Sequence, residues 1–364
     1  MTRLTADEKA SGRKLRVTLV MPVRNEEASI ETTLGSLVAG SRLPDEVIIA
    51  DGRSTDRTVS GIHEFAKRYP EISIRVVDNP GLWAGGGRNR AIEQSTGDII
   101  LLADFGNAFR PNWVELMVQP YLDNPSVDIV CGLFRPKVDT DFQHCVAVVH
   151  MLDDYMLEQI PQEDREALLP EVVVPVGMAM SITKDVYDDV GGFPEWLFKG
   201  QDKLFGRKAW AKNKKIVVAW DSLVDHHVRA TPKQVFNYMY YYGRGFGQQH
   251  LVSNMTRKLA LIYGLFFALV IAGFIWPVLW GLAVILAGAH FWKFGFRKHF
   301  QQTIRPWKWR YLYLLPLALV SRDLGSIFGH ISGWIHWWTR PDLRKKYKEY
   351  LADVDPSRLQ IVSK

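Results

Sequence analysis

The sequence predicts an open, mostly parallel α/β sheet followed by membrane-associated helices, and three observations carry that prediction. Short β-branched or apolar runs alternate with amphipathic helical stretches from Arg16 to about Ser181. Polar residues, Asp51, Asp78 and Asp104 among them, stand directly after successive runs. Past Met255 the chain turns apolar, and Leu259–Ala289 has no charged side chain over 31 residues. A length of 364 residues suits two domains, and 47% hydrophobic with 23% charged content excludes a disordered or fibrous chain.

The strands are expected at 16–21, 46–50, 73–77, 98–103 and 127–131. Each run is continuous rather than alternating, as strands covered on both faces by crossover helices should be. Sheets of this kind bind ligands beyond the carboxyl ends of their strands. The residues there are Pro22-Val-Arg-Asn-Glu26, Asp51 to Asp56, Asp78-Asn79 and Asp104-Phe-Gly-Asn107. Caps and turns explain one such aspartate locally, but three strand ends in series point to a ligand.

A span needs ~20 residues, so the run at 259–289 is a long tilted span or a hairpin turning at Trp276-Pro277. Arg257-Lys258 before it, and Lys293, Arg297, Lys298, Arg305, Lys308 and Arg310 after it, make both flanks cytoplasmic by charge, which favours the hairpin. The next apolar stretch, 311–338, contains Arg322-Asp323, a costly pair inside a bilayer. An interfacial or re-entrant segment is expected there rather than a clean transmembrane span. Residues 339–364 read as a basic cytoplasmic tail, residues 1–15 as a polar tail and 16–255 as the α/β domain.

The net charge of +6 is uneven: residues 290–364 balance at +9 and the rest at −3. That pattern argues for an anionic membrane surface and against nucleic acid as partner. Only Cys131 and Cys145 occur, so disulfide and zinc scaffolds drop out. Residues Met1–Arg16 lack an apolar h-region, so no secretory signal is expected and the catalytic domain is placed in the cytoplasm, at the inner (plasma) membrane. Walker A, G-x-G-x-x-G, G-x-S-x-G and H-E-x-x-H motifs are absent.

Seven motifs remain, in one order: Val17–Glu27, Glu46–Thr58, Gly87–Ile92, Gly97–Asp104, Gly-Gly-Phe-Pro-Glu at 191–195, Gln201-Asp202, and Tyr-Gly-Arg-Gly-Phe-Gly at 242–247. This series resembles the family 2 glycosyltransferases of the GT-A fold, particularly membrane-associated bacterial enzymes of polysaccharide or glycolipid biosynthesis. The resemblance implies that Pro22, Arg24, Glu26 and Asp51 hold the base and ribose of a nucleotide-sugar, with Asp78 extending the base pocket. Arg88 would meet the diphosphate or orient the acidic loop. Asp104 matches the first aspartate of a D-x-D metal motif whose second position here is Gly106, so Mg2+ or Mn2+ is expected with few protein ligands, Asn107, water or His226 completing its shell. Asp202 matches the catalytic base, with an N-cap role as its local alternative, while Gln201 replaces the family's glutamate and, like Arg244, falls in the acceptor and diphosphate region.

The activity implied is inverting transfer of one sugar, from a UDP-sugar in the first instance, to a lipid-linked acceptor at the cytoplasmic membrane face. Direct glycosylation of a membrane lipid (a sphingolipid or hopanoid), or a non-catalytic scaffold among polysaccharide-assembly partners, are the alternatives. The Q-x-x-R-W signature of processive synthases is absent.

Overall fold

The computed structural model describes residues 15–151, 175–250, 254–302 and 306–359. Most of the polar N-terminal tail, Arg305 and the last five residues lie outside these. The chain divides into two compact units, one formed by Met1–Arg135, Ile160–His226 and Lys346–Val362, the other by Pro136–Gln159, His227–Lys345 and the last two residues. This division differs from the linear boundary at 255 read from the sequence.

The first unit is built on an eight-stranded sheet of order β3-β2-β1-β4-β7-β6-β8-β5. β1 (Val17–Val23), β2 (Glu46–Asp51), β3 (Ile74–Asp78) and β4 (Ile99–Ala103) pair in parallel, and the four sequence-expected runs match them within two residues. The fifth run enters β6 (Ile129–Lys137), which pairs antiparallel with β7 (Ala179–Thr183), itself antiparallel to β4. The two-residue β5 (Ala108–Phe109) pairs with the end of β8 (Ile216–His227).

Alternate residues of the central strands feed two apolar layers. Val17, Leu19, Met21, Val47, Ile49 and Leu101 face α1 (Ile30–Val38), α2 (Thr58–Arg68) and the later helix Trp113–Asp123. Val20, Ile48, Ala50, Ile100 and Leu102 face α3 (Ala84–Glu93) and the residues beyond β7. Two buried faces explain why these strands read as continuous apolar runs. With α4 as Trp113–Asp123, α5 as Asp141–Val146 and α6 as Lys184–Val190, the sheet unit's next helix is α7 (Gln201–Ala211).

The C-terminal segment returns to this unit. Leu351 and Leu359 pack with Leu197, Leu204 and Ala211, Asp353 pairs with Lys208 at 3.0 Å and Lys212 at 2.8 Å, and Arg207 Nη2 donates to the Leu359 carbonyl at 2.9 Å. Residues 346–359 are thus a strap on the helix that begins at Gln201, where the sequence reading expected only a basic tail.

The second unit contains α8 (Pro232–Gly247), α9 (Asn254–Ala272), α10 (Val278–Phe291), α11 (Arg297–Gln302) and α12 (Tyr311–Thr339). Among the described residues three helices are long and apolar enough to cross a membrane, over Met255–Ala272, Val278–Gln301 and Tyr311–Thr339. The chain turns between α9 and α10, where Trp280 Nε1 donates to the Val270 carbonyl at 3.0 Å. On α8 and α12 the backbones approach so closely that a Cβ on Gly243 would lie 2.6 Å from the Ser326 carbonyl oxygen, and one on Gly247 2.6 Å from that of His330. Gly325, Gly329 and Gly333 meet the α8 backbone in the same way, a small-residue seam spaced at four.

The pair that makes 311–338 costly as a span is compensated within the bundle. Asp323 is fully buried and accepts from Arg322 Nε at 2.8 Å, His290 Nε2 at 2.7 Å and Tyr263 OH at 3.2 Å, joining α9, α10 and α12. Residues 311–339 form one continuous helix, and the charge that argued for an interfacial segment faces inward.

Candidate active site

The site is assembled where the parallel strands end. In β1–β2–β3 register, Val23 stands beside Asp51 and Asp51 beside Asp78, which puts two carboxylate residues on neighbouring strand ends. Like charges opposed in this way weaken a sheet, so the pair does not serve the stability of the frame. Both Asp51 oxygens accept from Ser54 N at 3.2 Å, while Asp78 and Arg24 are exposed.

The loops after β1 and β2 clasp each other. Asn25, in the left-handed region at φ 54, accepts from Thr55 N at 2.8 Å; Glu26 N donates to Thr58 Oγ1 at 2.7 Å; Arg57 N donates to Glu27 Oε2 at 2.8 Å. Asp56 accepts from the Thr58 hydroxyl at 2.6 Å, which holds its carboxyl below the usual range. Asn25, Glu27, Asp56 and Thr58 therefore serve the shape of the loops.

Glu26 is turned toward the acidic loop after β4. Its carboxylate accepts from Ser29 Oγ at 2.6 Å and lies 3.5 Å from where a side chain at Gly106 would begin. Gly106 has φ +89, which disfavours any other residue, and an aspartate there would set its charge beside that of Glu26. The missing second carboxylate of the metal motif has this local reason.

Pro22 supports α3. A Cβ on Gly87 would lie 3.1 Å from that of Pro22 and 3.3 Å from that of Ala50, so only glycine lets this helix approach the sheet. The next residue, Arg88, is 2% exposed, and its Nη2 donates to Asp104 Oδ1 at 2.6 Å. Arg88 thereby joins α3 to the acidic loop after β4. Its Nε and Nη1 are buried without a hydrogen-bond partner among the described residues, and its guanidinium lies against Gly177.

Gly177 leads to Asp202. Its N–H donates to Asp202 Oδ2 at 3.0 Å, and Lys203 N donates to Oδ1 at 2.8 Å. Asp202 is 7% exposed in the first turn of α7, and the cap position belongs to Gly200, at φ +81, so the N-cap alternative is corrected. A carboxylate has about four lone-pair positions, so two accepted bonds leave capacity to take a proton. Gln201 is buried against the start of α3, its Oε1 without a partner among the described residues. Arg244 lies in the helical unit, where its Nε donates to His336 Nδ1 at 3.3 Å.

His226 reaches the acidic loop through Asn107. Its Nδ1–H donates to Asn107 Oδ1 at 2.8 Å, which puts the ring's lone pair on Nε2. Among the described residues no group of three His, Cys, Asp or Glu side chains is gathered to hold an ion. Asp104 has one oxygen engaged by Arg88 and its side chain 41% exposed. That donor set fits an ion held by one carboxylate together with substrate phosphates, the manner in which Mg2+ is commonly bound, and does not fit a protein-only cage.

Sequence reasoning did not single out Asn89, Glu195 or Gly177. Asn89 exchanges bonds with Phe193 through its Oδ1 and Nδ2 at 2.8 and 2.9 Å, and gives another to Glu195 Oε1 at 2.9 Å, fastening the 191–195 motif to α3. The motif itself was the available signal; the pairing was not.

Residues 18–191 match the model of glycosyl transferase family 2. The chain is 25% identical over 216 residues to glycosyltransferase AglE of Haloferax volcanii, covering 58% of this chain and 67% of that protein. It is 24% identical over 226 residues to the O-antigen chain rhamnosyltransferase RfbN of Salmonella typhimurium, covering 61% and 69%. Mannosyltransferase PcManGT from Pyrobaculum calidifontis, solved with GDP-Man and Mn2+, superposes over 86% of this chain and 88% of its own with a TM-score of 0.57 at 16% identity, a likeness of fold. With the motifs in order along a sheet of this topology, residues 18–191 form a glycosyl transferase family 2 domain, and the chain has the GT-A fold.

Proposed function

We propose that this enzyme transfers a single sugar, with inversion, from a nucleotide-sugar to a lipid-linked acceptor at the cytoplasmic face of the inner membrane, in polysaccharide or glycolipid synthesis. The observation that carries the reading is the chain of contacts Asp104–Arg88–Gly177–Asp202, which ties the acidic loop after β4 to a carboxylate with spare lone pairs. Asp202 accepts the proton of the acceptor hydroxyl as that oxygen attacks the anomeric carbon and the bond to the diphosphate breaks. Asp51 and Asp78 accept hydrogen bonds from the ribose and base of the donor, UDP in the first instance, while Arg24 stands exposed beside them.

A divalent ion, Mg2+ or Mn2+, would be held by Asp104, with His226 or Asn107 close by, and would offset charge on the departing diphosphate. Arg88 keeps Asp104 in one orientation for that contact. The names of RfbN and PcManGT support a saccharide acceptor and an ion-assisted donor. Three apolar helices support a membrane position for the acceptor.

The test is donor turnover by the purified full chain in detergent, with a panel of radiolabelled nucleotide-sugars and extracted lipids. Metal-dependent transfer to a lipid fraction, lost in Asp104→Ala together with donor affinity, is expected. Full activity in excess EDTA removes the ion from the reaction, and absence of transfer from every donor leaves the scaffold alternative.

A further inference from the structure

We propose that the helical unit contains a binding site for the phosphate head group of a single-chain lipid, in a cavity of about 310 Å³ between α8, α9 and α12. The inference rests on the lipid-linked acceptor reading and names where that acceptor's phosphate is held. It also gives a purpose to the Tyr-Gly-Arg-Gly-Phe-Gly motif, whose Tyr242, Gly243 and Phe246 line the cavity.

Charge is the first argument. Arg322 and Lys298 line the cavity with the hydroxyl-bearing Tyr242, Thr256 and Ser326, and no Asp or Glu does. Lys298 among hydroxyl donors, beside an Arg322 whose charge is already paired with Asp323, matches a phosphate, which accepts from several donors at once. Arg322 is 7% exposed and fixed in direction, its Nε at 2.8 Å and its Nη2 at 2.6 Å from Asp323 Oδ1 and its Nη1 on the Val149 carbonyl.

Position is the second. Arg322, Ser326 and His330 recur at every fourth residue, a polar stripe turned inward on a helix long and apolar enough to cross a membrane. Leu312, Phe328, Ile331 and Ile335 of the same helix are exposed. Ionisable groups kept inside such a helix bundle mark substrate or ion sites by default. His330 Nδ1 pairs with the Ser326 carbonyl at 2.9 Å, which sets its tautomer and turns Nε2 toward the Thr256 hydroxyl.

Shape is the third. Met239, Met255, Leu259 and Phe294 give the same cavity apolar walls, which a free phosphate would not use. The volume lies at the low end for ligand cavities, enough for a head group and the first carbons of one chain.

The test measures binding of dodecyl phosphate to the full chain in detergent, with dodecanol, inorganic phosphate and phosphatidylglycerol vesicles as competitors. Lys298→Gln removes a cation and Ser326→Phe fills the cavity; each is compared with wild type after circular dichroism verifies its fold. Saturable binding of dodecyl phosphate, resisted by dodecanol and inorganic phosphate and weakened at least about tenfold in either folded variant, is the expected result. Equal binding in both variants, or equal displacement by dodecanol, overturns the site. Displacement by phosphatidylglycerol at matching concentration overturns the single-chain assignment in favour of a structural lipid. The two readings part cleanly: undiminished transfer to a lipid acceptor in both variants rejects this site and keeps the acceptor, whereas variant-sensitive binding without transfer keeps the site and rejects the acceptor.

Discussion

Replacing Asp202 by asparagine separates its chemical work from its structural work. The carboxylate accepts two backbone N–H bonds, from Gly177 at 3.0 Å and Lys203 at 2.8 Å. An asparagine oxygen can serve one of them, and the amide NH2 then faces the other N–H. A buried donor left without a partner costs about 1–3 kcal/mol, and the surviving bond falls from charge-assisted to neutral for about 1 kcal/mol more. The expected destabilisation is therefore roughly 2–4 kcal/mol, a midpoint lower by roughly 5–15 °C for a unit of this size. Turnover should fall by about 10²–10⁴, the usual contribution of a general base, while donor affinity measured by calorimetry below the midpoint is retained, because the proposed nucleotide contacts lie at other strand ends. The assay is release of nucleoside diphosphate with and without lipid acceptor. A variant that shows the lowered midpoint but keeps more than about a tenth of wild-type turnover refutes the base assignment and leaves Asp202 a loop-tying residue.

Arg88→Lys loses the Nη2 contact with Asp104, and donor affinity and turnover are expected to drop together by about tenfold, with little change in midpoint because Nε and Nη1 already lie unpartnered; a titration of donor against rate checks this. Gly329→Leu drives a side chain into the Tyr240 backbone and should cost about 1–3 kcal/mol or more, whereas Gly264→Ala, with open space around it, should be neutral or slightly stabilising; thermal midpoints in detergent distinguish them. Partial desolvation raises the pKa of the exposed Asp353, but the Lys212 and Lys208 ammonium groups outweigh this and hold it at about 2. A depressed carboxyl stabilises the fold above its ordinary pKa and loses that contribution as pH falls toward 2, so the strap at 346–359 should become protease-sensitive between about pH 4 and 2, and already at neutral pH in Asp353→Asn. Proteolysis that is pH-independent in wild type refutes the electrostatic part of that docking.

The strands that position the site were legible because burial on both faces leaves an unbroken apolar run, a pattern of chemistry along the chain. Asp51, Asp78 and Asp104 were legible for a related reason: strand order fixes which residues reach one edge, and the register of β1, β2 and β3 follows from it. Side-chain direction was not legible. Glu26 and Arg24 are two residues apart, yet the Glu26 carboxylate lies against Gly106 because Ser29 and a left-handed Asn25 turn it there. Arg88 acquires its partner only because glycines at the start of α3 let that helix sink onto Pro22 and Ala50. The same holds far along the chain. Composition marked 259–289 and 311–338 as membrane-compatible, since hydropathy is local and additive. Whether Arg322-Asp323 faces lipid or protein depends on Tyr263 and His290 arriving from other helices, and sequence distance carries no record of that meeting. The return of residues 346–359 to α7 is likewise a tertiary decision, made by two lysines, an aspartate and a small apolar cluster that charge counting alone read as a basic tail.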